Sequence, residues 1–277
     1  MPQPSNRVLI VQPPVLTEVV DKVGIITLNR PERRNAVNGP LAAGLDAAVK
    51  AMAADEAVKV VILTGAAPEG GTGGFCSGGD TKMDRSEREG MELAVPDDAL
   101  DGDLARHDGH AAMHLHCMPK PTTARVGGPA VGAGCSLAAA CDLRFAADDA
   151  VFSTGFLANG LAGDYGGSFF WTRIGGTALA RRLYLLSEKI PAPRALELGM
   201  VHEVVPAAEL RTFTMEVAGR LARSPAEILA AVKDNLNQAE DTVARRRELF
   251  ATESVNQRES SRRLMERLAQ QKTATGP

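Results

Sequence analysis

Neither sign of charge dominates this sequence: 31 lysines and arginines face 34 aspartates and glutamates, a net charge of −3 over 277 residues. Without a basic excess nothing draws in a polyanion, so nucleic acid and membrane surfaces are not expected partners. Long apolar runs are also missing. The run at residues 8–11 has four apolar residues between prolines, too short for a signal-peptide core or a membrane span, which points to a cytoplasmic protein. Cysteine is sparse. Cys76, Cys117, Cys135 and Cys141 form no C-x-x-C pair, and four in a chain this long do not make a disulfide scaffold, so reduced thiols are expected. The sequence contains no G-x-x-x-x-G-K-[ST], no full G-x-G-x-x-G and no H-E-x-x-H. No metal is therefore expected, and no cofactor beyond what a substrate brings. Low-complexity segments are absent as well.

What is present is the composition of a soluble globular protein, 44% hydrophobic and 23% charged, long enough to bury a substantial core. Strands and helices alternate. Residues 21–29 and 58–65 are β-branched runs ending in turn residues, and residues 39–55 between them carry helical apolar spacing. A third strand is expected at 121–128, then a small-residue segment, then extended structure over 143–154. From 168 onward the pattern is helical, with breaks at Gly175-Gly176, Pro191, Pro193 and Pro206, and it ends in an Arg-rich helix over about 239–271. The apolar side of that helix, with Leu249, Phe250 and Leu264, predicts packing against a neighbouring subunit.

Two glycine-rich stretches stand out, "GFCSGGDTKM" at 74–83 and "GGPAVGAGCSL" at 127–137. Each lets backbone approach a ligand closely. A helix opening at Ala133 has unpaired first amides and a positive dipole end, suited to an anion or a developing oxyanion, although a single glycine turn beside a strand is more often only structural. A third stretch, "GLAGDYGGSFF" at 160–170, sets Asp164 among glycines and apolar residues. It is either an ionisable group held in a pocket or an N-cap of the helix that follows.

Taken together, "ITLNRPERRNAV" (26–37), "GFCSGGD" (74–80), "PKPTTARVGGPAVGAGCSLAAACDLRFAADDAVF" (119–152) and "LELGMVHEVVP" (196–206) resemble the crotonase superfamily, the enoyl-CoA hydratase/isomerase family, over about residues 15–260. The resemblance implies an α/β fold, a spiral of ββα units. It implies a core over 1–205 holding the CoA site and a C-terminal helical region over 206–277 that trimerises the protein, as trimers or hexamers. It also implies that a thioester oxygen is held by the amides of Gly79 and Ala133. Coenzyme A, part of the substrate, would lie along Arg33, Arg34, Ala36, Ser77, Gly78, Asp80 and Thr81, with Arg33 or Arg34 near a phosphate; either arginine alone is more often a solvated surface charge than a ligand, and only the motif context raises it.

The departures carry more information. Typical hydratases of the family place glutamates where this chain has Ser136 and Phe156, and neither side chain replaces a carboxylate as proton carrier. Asp164 stands where some members, dienoyl-CoA isomerases among them, carry a functional aspartate. The expected activity is double-bond isomerisation or hydration/dehydration of an acyl-CoA with Asp164 as acid/base. The alternatives are a hydrolytic or carbon–carbon bond-cleaving enzyme on the same scaffold, or a non-catalytic acyl-CoA binder. Accessory candidates are His110, His114, Ser136 and Tyr165. His107, His110 and His114 share one face of a helical segment that, in the family, lines the acyl pocket.

Overall fold

Two left-handed residues, Asp21 and Lys22 (φ 50° and 68°), make the tight turn that joins β1 (Val15–Val20) to β2 (Val23–Leu28) as an antiparallel hairpin. The computed structural model describes residues 12–71, 73–80, 82, 111–159, 161, 163–239 and 270. From β2 the chain crosses over through α1 (Gly39–Ala54), whose N-cap Asn38 accepts a hydrogen bond from the Leu41 N–H at 3.1 Å, and returns as β3 (Val60–Gly65), parallel to β2.

Further parallel additions follow. β4 (Thr122–Val126) pairs with β3, β6 (Leu143–Ala147) with β4, and β9 (Glu203–Val205) with β6, so the main sheet runs β1-β2-β3-β4-β6-β9. Three short strands, β5 (Ala130–Val131), β7 (Val151–Ser153) and β8 (Ile190–Pro191), form a second sheet in the order β5-β7-β8. The repeated strand, strand and helix winding is the mixed α/β architecture expected from the alternation.

The two-residue period of the strands sorts the core into two layers. Ile26, Leu28, Val61, Leu63, Ala124 and Val126 point to one face, into the large cluster that includes α1, α2 (Ala111–Cys117) and α3 (Ala133–Ala140). Val23, Ile25, Val60 and Ile62 point to the other, where Ala218 and Ala222 of α6 (Leu210–Ala222) cover them. A sheet buried on both faces reads as continuous apolar runs, which is why 58–65 carries so little polar residue. The helix just beyond residue 205 thus covers the core sheet itself.

Helix α4 (Gly167–Leu186) is broken at Gly176, whose φ of 76° is left-handed, at the double glycine where the sequence pattern stops. After α5 (Ala192–Glu197), α6 leads to α7 (Ala226–Ala239), which is tied to the rest of the fold by buried Leu229, by Asn237 Nδ2 donating to the His116 carbonyl at 3.0 Å and by a buried lysine. Lys233 Nζ donates to the carbonyls of Leu115 (2.9 Å) and Lys120 (3.1 Å) and pairs with Asp142 (2.9 Å), so a charge that would be costly to bury has three oxygen partners. The Arg-rich helix expected over 239–271 lies outside the described residues, apart from Gln270 at a helical position. Among the described residues no helix is long and apolar enough to cross a membrane. All four cysteines are free thiols, three of them buried.

Candidate functional site

The two glycine loops, distant in sequence, lie against each other. Cys76 N–H donates to Pro129 O at 3.2 Å, and Val131 N–H returns a bond to Cys76 O at 2.9 Å, zipping residues 74–80 to the strand that opens α3. A Cβ on Gly134 would collide with the Cys76 carbonyl, and one on Gly132 would lie 3.6 Å from the Gly78 Cα, so glycine is what lets the backbones meet. Gly78 itself has φ 96°.

This contact leaves two amides without partners on the paired loops. Val37 bonds both flanks of Gly79, its N–H to Gly78 O and its carbonyl to the Asp80 N–H, each at 2.8 Å. Alternation along extended backbone then turns the Gly79 N–H away from Val37. Ala133 is the first residue of α3, and the Gly132 N-cap offers it no side-chain bond. Neither amide has a partner among the described residues, and the positive end of α3 adds to their attraction for a developing negative oxygen.

Asp164 faces the same region. Its charge helps to raise the buried thiol of Cys76, which burial chiefly pushes up to about 12, and it acts likewise on the phenols of Tyr165 and Tyr184. By surface area Asp164 is exposed, yet the protein packed around it displaces enough water to push its own carboxyl up to about 6. The carboxylate has no hydrogen-bond or ion-pair partner among the described residues. The N-cap alternative is resolved: the cap of α4 is Gly166, no side chain caps it, and the Gly167 N–H is taken by the main-chain carbonyl of Asp164 at 3.1 Å.

The residues at the two hydratase glutamate positions are both buried. Ser136 Oγ turns back to the Gly132 carbonyl at 3.4 Å, and Phe156 stacks on Tyr184 with centroids 5.9 Å apart and rings 20° from parallel. The sequence reading did not single out Tyr184. It lies on α4, far along the chain from both loops, and a lone tyrosine on a helix carries no local signal.

Around the expected CoA contacts, Asp80 forms a buried hub. Arg33 grips its carboxylate with two bonds (Nη2–Oδ1 2.9 Å, Nε–Oδ2 3.2 Å), and Arg30 adds a third at 3.1 Å. Burial alone would raise the Asp80 carboxyl, but the bonds from Arg33, from the Lys82 N–H and from Arg30 outweigh it and hold it below the usual carboxylate range. The Arg33 fork is thus engaged inside the protein, while Arg34, left-handed at φ 52°, is exposed and gives its carbonyl to the Ser77 N–H at 3.1 Å. The Ala36 carbonyl accepts from Arg30 Nη1 at 2.6 Å. Asp80→Ala should destabilise the fold by about 2–3 kcal/mol in urea unfolding at neutral pH, because two cations lose their acceptor. As a carboxylate with a lowered folded pKa, Asp80 stabilises above the ordinary aspartate range, and that contribution fades as pH falls through its folded value. Equal stability of Asp80→Ala and wild type at neutral pH would show the hub to be ornamental.

Thr81, His107 and His110 lie outside the described residues. His114 stands 3.6 Å from Asp46 of α1, and Tyr165 feels the same Asp46 charge. No group of three or more His, Cys, Asp or Glu among the described residues could hold a metal ion.

The sequence profile described as "Enoyl-CoA hydratase/isomerase" matches residues 18–271. The chain belongs to the enoyl-CoA hydratase/isomerase family. Within it, the chain is 34% identical over 226 residues to the 1,2-epoxyphenylacetyl-CoA isomerase of Escherichia coli, an alignment covering 82% of each protein. It is 29% identical to the short-chain-enoyl-CoA hydratase of Clostridium acetobutylicum, over 81% of each. The crystal structure of an enoyl-CoA hydratase from a Polaromonas species superposes with a TM-score of 0.72 at 30% identity, covering 87% of this chain and 89% of that one. The protein is an enzyme of the enoyl-CoA hydratase/isomerase family on the crotonase fold.

Proposed function

We propose that the protein moves a double bond along the acyl chain of a CoA thioester, using Asp164 as a single proton carrier. The observation that carries this reading is the unpartnered Asp164 carboxyl, raised to about 6, in a site whose two hydratase positions hold a buried serine and a buried phenylalanine. Hydration needs one group to activate water and a second to protonate carbon. Isomerisation needs one group used twice.

The Asp164 carboxylate takes a proton from the α-carbon of a β,γ-unsaturated thioester. The electron pair of that C–H bond moves into the conjugated system, and negative charge collects on the thioester oxygen. The amides of Gly79 and Ala133 hold that oxygen. Asp164, now the neutral acid, returns the proton to the γ-carbon, and the double bond comes to rest in conjugation with the carbonyl. Two relatives of known name, the E. coli isomerase and the Clostridium hydratase, both act on CoA thioesters, which supports the substrate class.

The test is turnover of trans-3-hexenoyl-CoA to the conjugated 2-enoyl ester, followed by thioester absorbance, beside hydration of crotonyl-CoA. Isomerisation well above hydration is expected. Rapid hydration that survives Asp164→Asn would overturn the reading.

Assembly as trimers or hexamers and residence in the cytoplasm belong to the same proposal. Leu157, Leu161, Leu185 and Leu186, each more than half exposed, supply apolar surface that a neighbouring subunit would cover. Light scattering should give a mass several times 29.2 kDa, and a monomer would contradict it.

A further inference from the structure

The ring of His202 accepts a hydrogen bond that only its neutral form can accept. The Arg144 N–H donates to His202 Nδ1 at 3.1 Å, and the His202 N–H returns a bond to the Arg144 carbonyl at 2.9 Å. A main-chain N–H has only a proton to offer, so the nitrogen facing it must carry a lone pair, and the proton of the ring belongs on Nε2. The two bonds join residues 144 and 202 one step ahead of the β6–β9 ladder, whose first pair is Phe145 and Glu203.

That position matters because β9 is held on one side only. Among the described residues it ends the main sheet and pairs with β6 alone, over Glu203–Val205. Arg144 is committed to the same region: its Nε donates to the Met200 carbonyl at 2.8 Å and its Nη1 to the Cys141 carbonyl at 2.6 Å. Its guanidinium is the charge that acts on the His202 ring, whose other neighbour is the Phe145 ring, edge-on with centroids 6.4 Å apart. Among the described residues no carboxylate acts on the imidazole to offset a second positive charge, from β6, from β9 or from α5 and α6, the helices packed on these strands.

We propose that His202 is an acid-sensitive clip: protonation of its ring takes the lone pair from the Arg144 N–H, sets a second cation beside the Arg144 guanidinium and loosens the β6–β9 edge of the sheet. By surface area His202 is exposed, yet the protein packed around the ring displaces water, and this, with the Arg144 charge adding to it, holds the imidazole below the usual histidine range. The sign follows. A ring freed by opening of the edge titrates as an ordinary histidine and binds its proton first, so the clip contributes fully above that range and its contribution is lost as pH falls from there toward the lower value of the closed form.

The experiment is hydrogen exchange read by mass spectrometry on the full-length protein at pH 8 and pH 5, corrected for the intrinsic pH dependence of amide exchange, for wild type, His202→Asn and His202→Phe. In wild type, protection of the peptides spanning 143–147 and 203–205 should fall about 10-fold from pH 8 to pH 5, the worth of one hydrogen bond. Asparagine brings an amide oxygen close to the place of Nδ1 and does not titrate, so His202→Asn should protect these peptides equally at both pH values. Phenylalanine keeps the ring and lacks the acceptor, so His202→Phe should exchange at pH 8 as fast as wild type does at pH 5. Equal wild-type protection at the two pH values overturns the proposal. An acid loss that His202→Asn shares also overturns it, because another group would then be responsible. If His202→Phe fails to fold, the comparison of wild type with His202→Asn still decides.

Discussion

Asp164→Asn is expected to lower isomerisation of trans-3-hexenoyl-CoA by ~10²-fold or more, with thioester affinity and stability nearly unchanged. Asparagine keeps the size and the polarity of the side chain but has no basic lone pair to take a proton. Because the side chain makes no cap bond and no ion pair among the described residues, its replacement withdraws nothing that supports the fold. The pH dependence follows from the raised carboxyl. Only the ionised form takes the α-proton, so wild-type kcat/KM should rise with pH through about 6 and level off above it. The ordinary aspartate range would place that limb some two units lower. The same limb should vanish from any residual activity of Asp164→Asn. A variant that keeps full turnover, or a wild-type rate flat from pH 5 to 7, would remove Asp164 from the chemistry.

Ala133→Pro is expected to lower turnover by ~10²- to 10³-fold, the usual cost of one lost oxyanion donor. The substitution is unusually clean for a proline. Ala133 is the first residue of α3, where a missing N–H interrupts no helical hydrogen bond. The preceding Gly132, at φ 52° and ψ −121°, lies in the mirror image of the extended region and is open to glycine before a proline. The pyrrolidine ring would occupy the space into which the free N–H points. The expected result is therefore a folded protein that binds CoA within a few-fold of wild type and does not turn the thioester over. Unimpaired turnover by a folded Ala133→Pro protein would show that the thioester oxygen is held elsewhere.

The elements most legible in the sequence were those in which local chemistry leaves little choice. The apolar runs at 21–29 and 58–65 became β2 and β3, residues 39–55 became α1, and the break at Gly175-Gly176 is where α4 loses helical geometry. Hairpin strand β1 was not anticipated, because residues 15–20 are largely exposed at a sheet edge and lack the alternation that a half-buried strand would print. Asp164 could be singled out by its apolar, glycine-rich setting, but whether it capped a helix was open until Gly166 was seen at the cap.

The sequence by itself determined the family, the alternating α/β order and the two glycine loops, since only glycine permits the backbone contact at Gly134 and the conformation at Gly78. Tertiary structure decided what those loops face. The resemblance put Arg33 or Arg34 near a phosphate, and only the fold closes Arg33, together with Arg30, onto Asp80, a carboxylate 47 and 50 residues away from them. Tyr184 reaches the site because α4 returns past Ser136 and Phe156, and no pattern along the chain announces that return. The difference is physical: turn conformation and hydrophobic period act between neighbours in sequence, whereas the burial that raises the Asp164 carboxyl and the Tyr184 phenol exists only once distant segments have packed together.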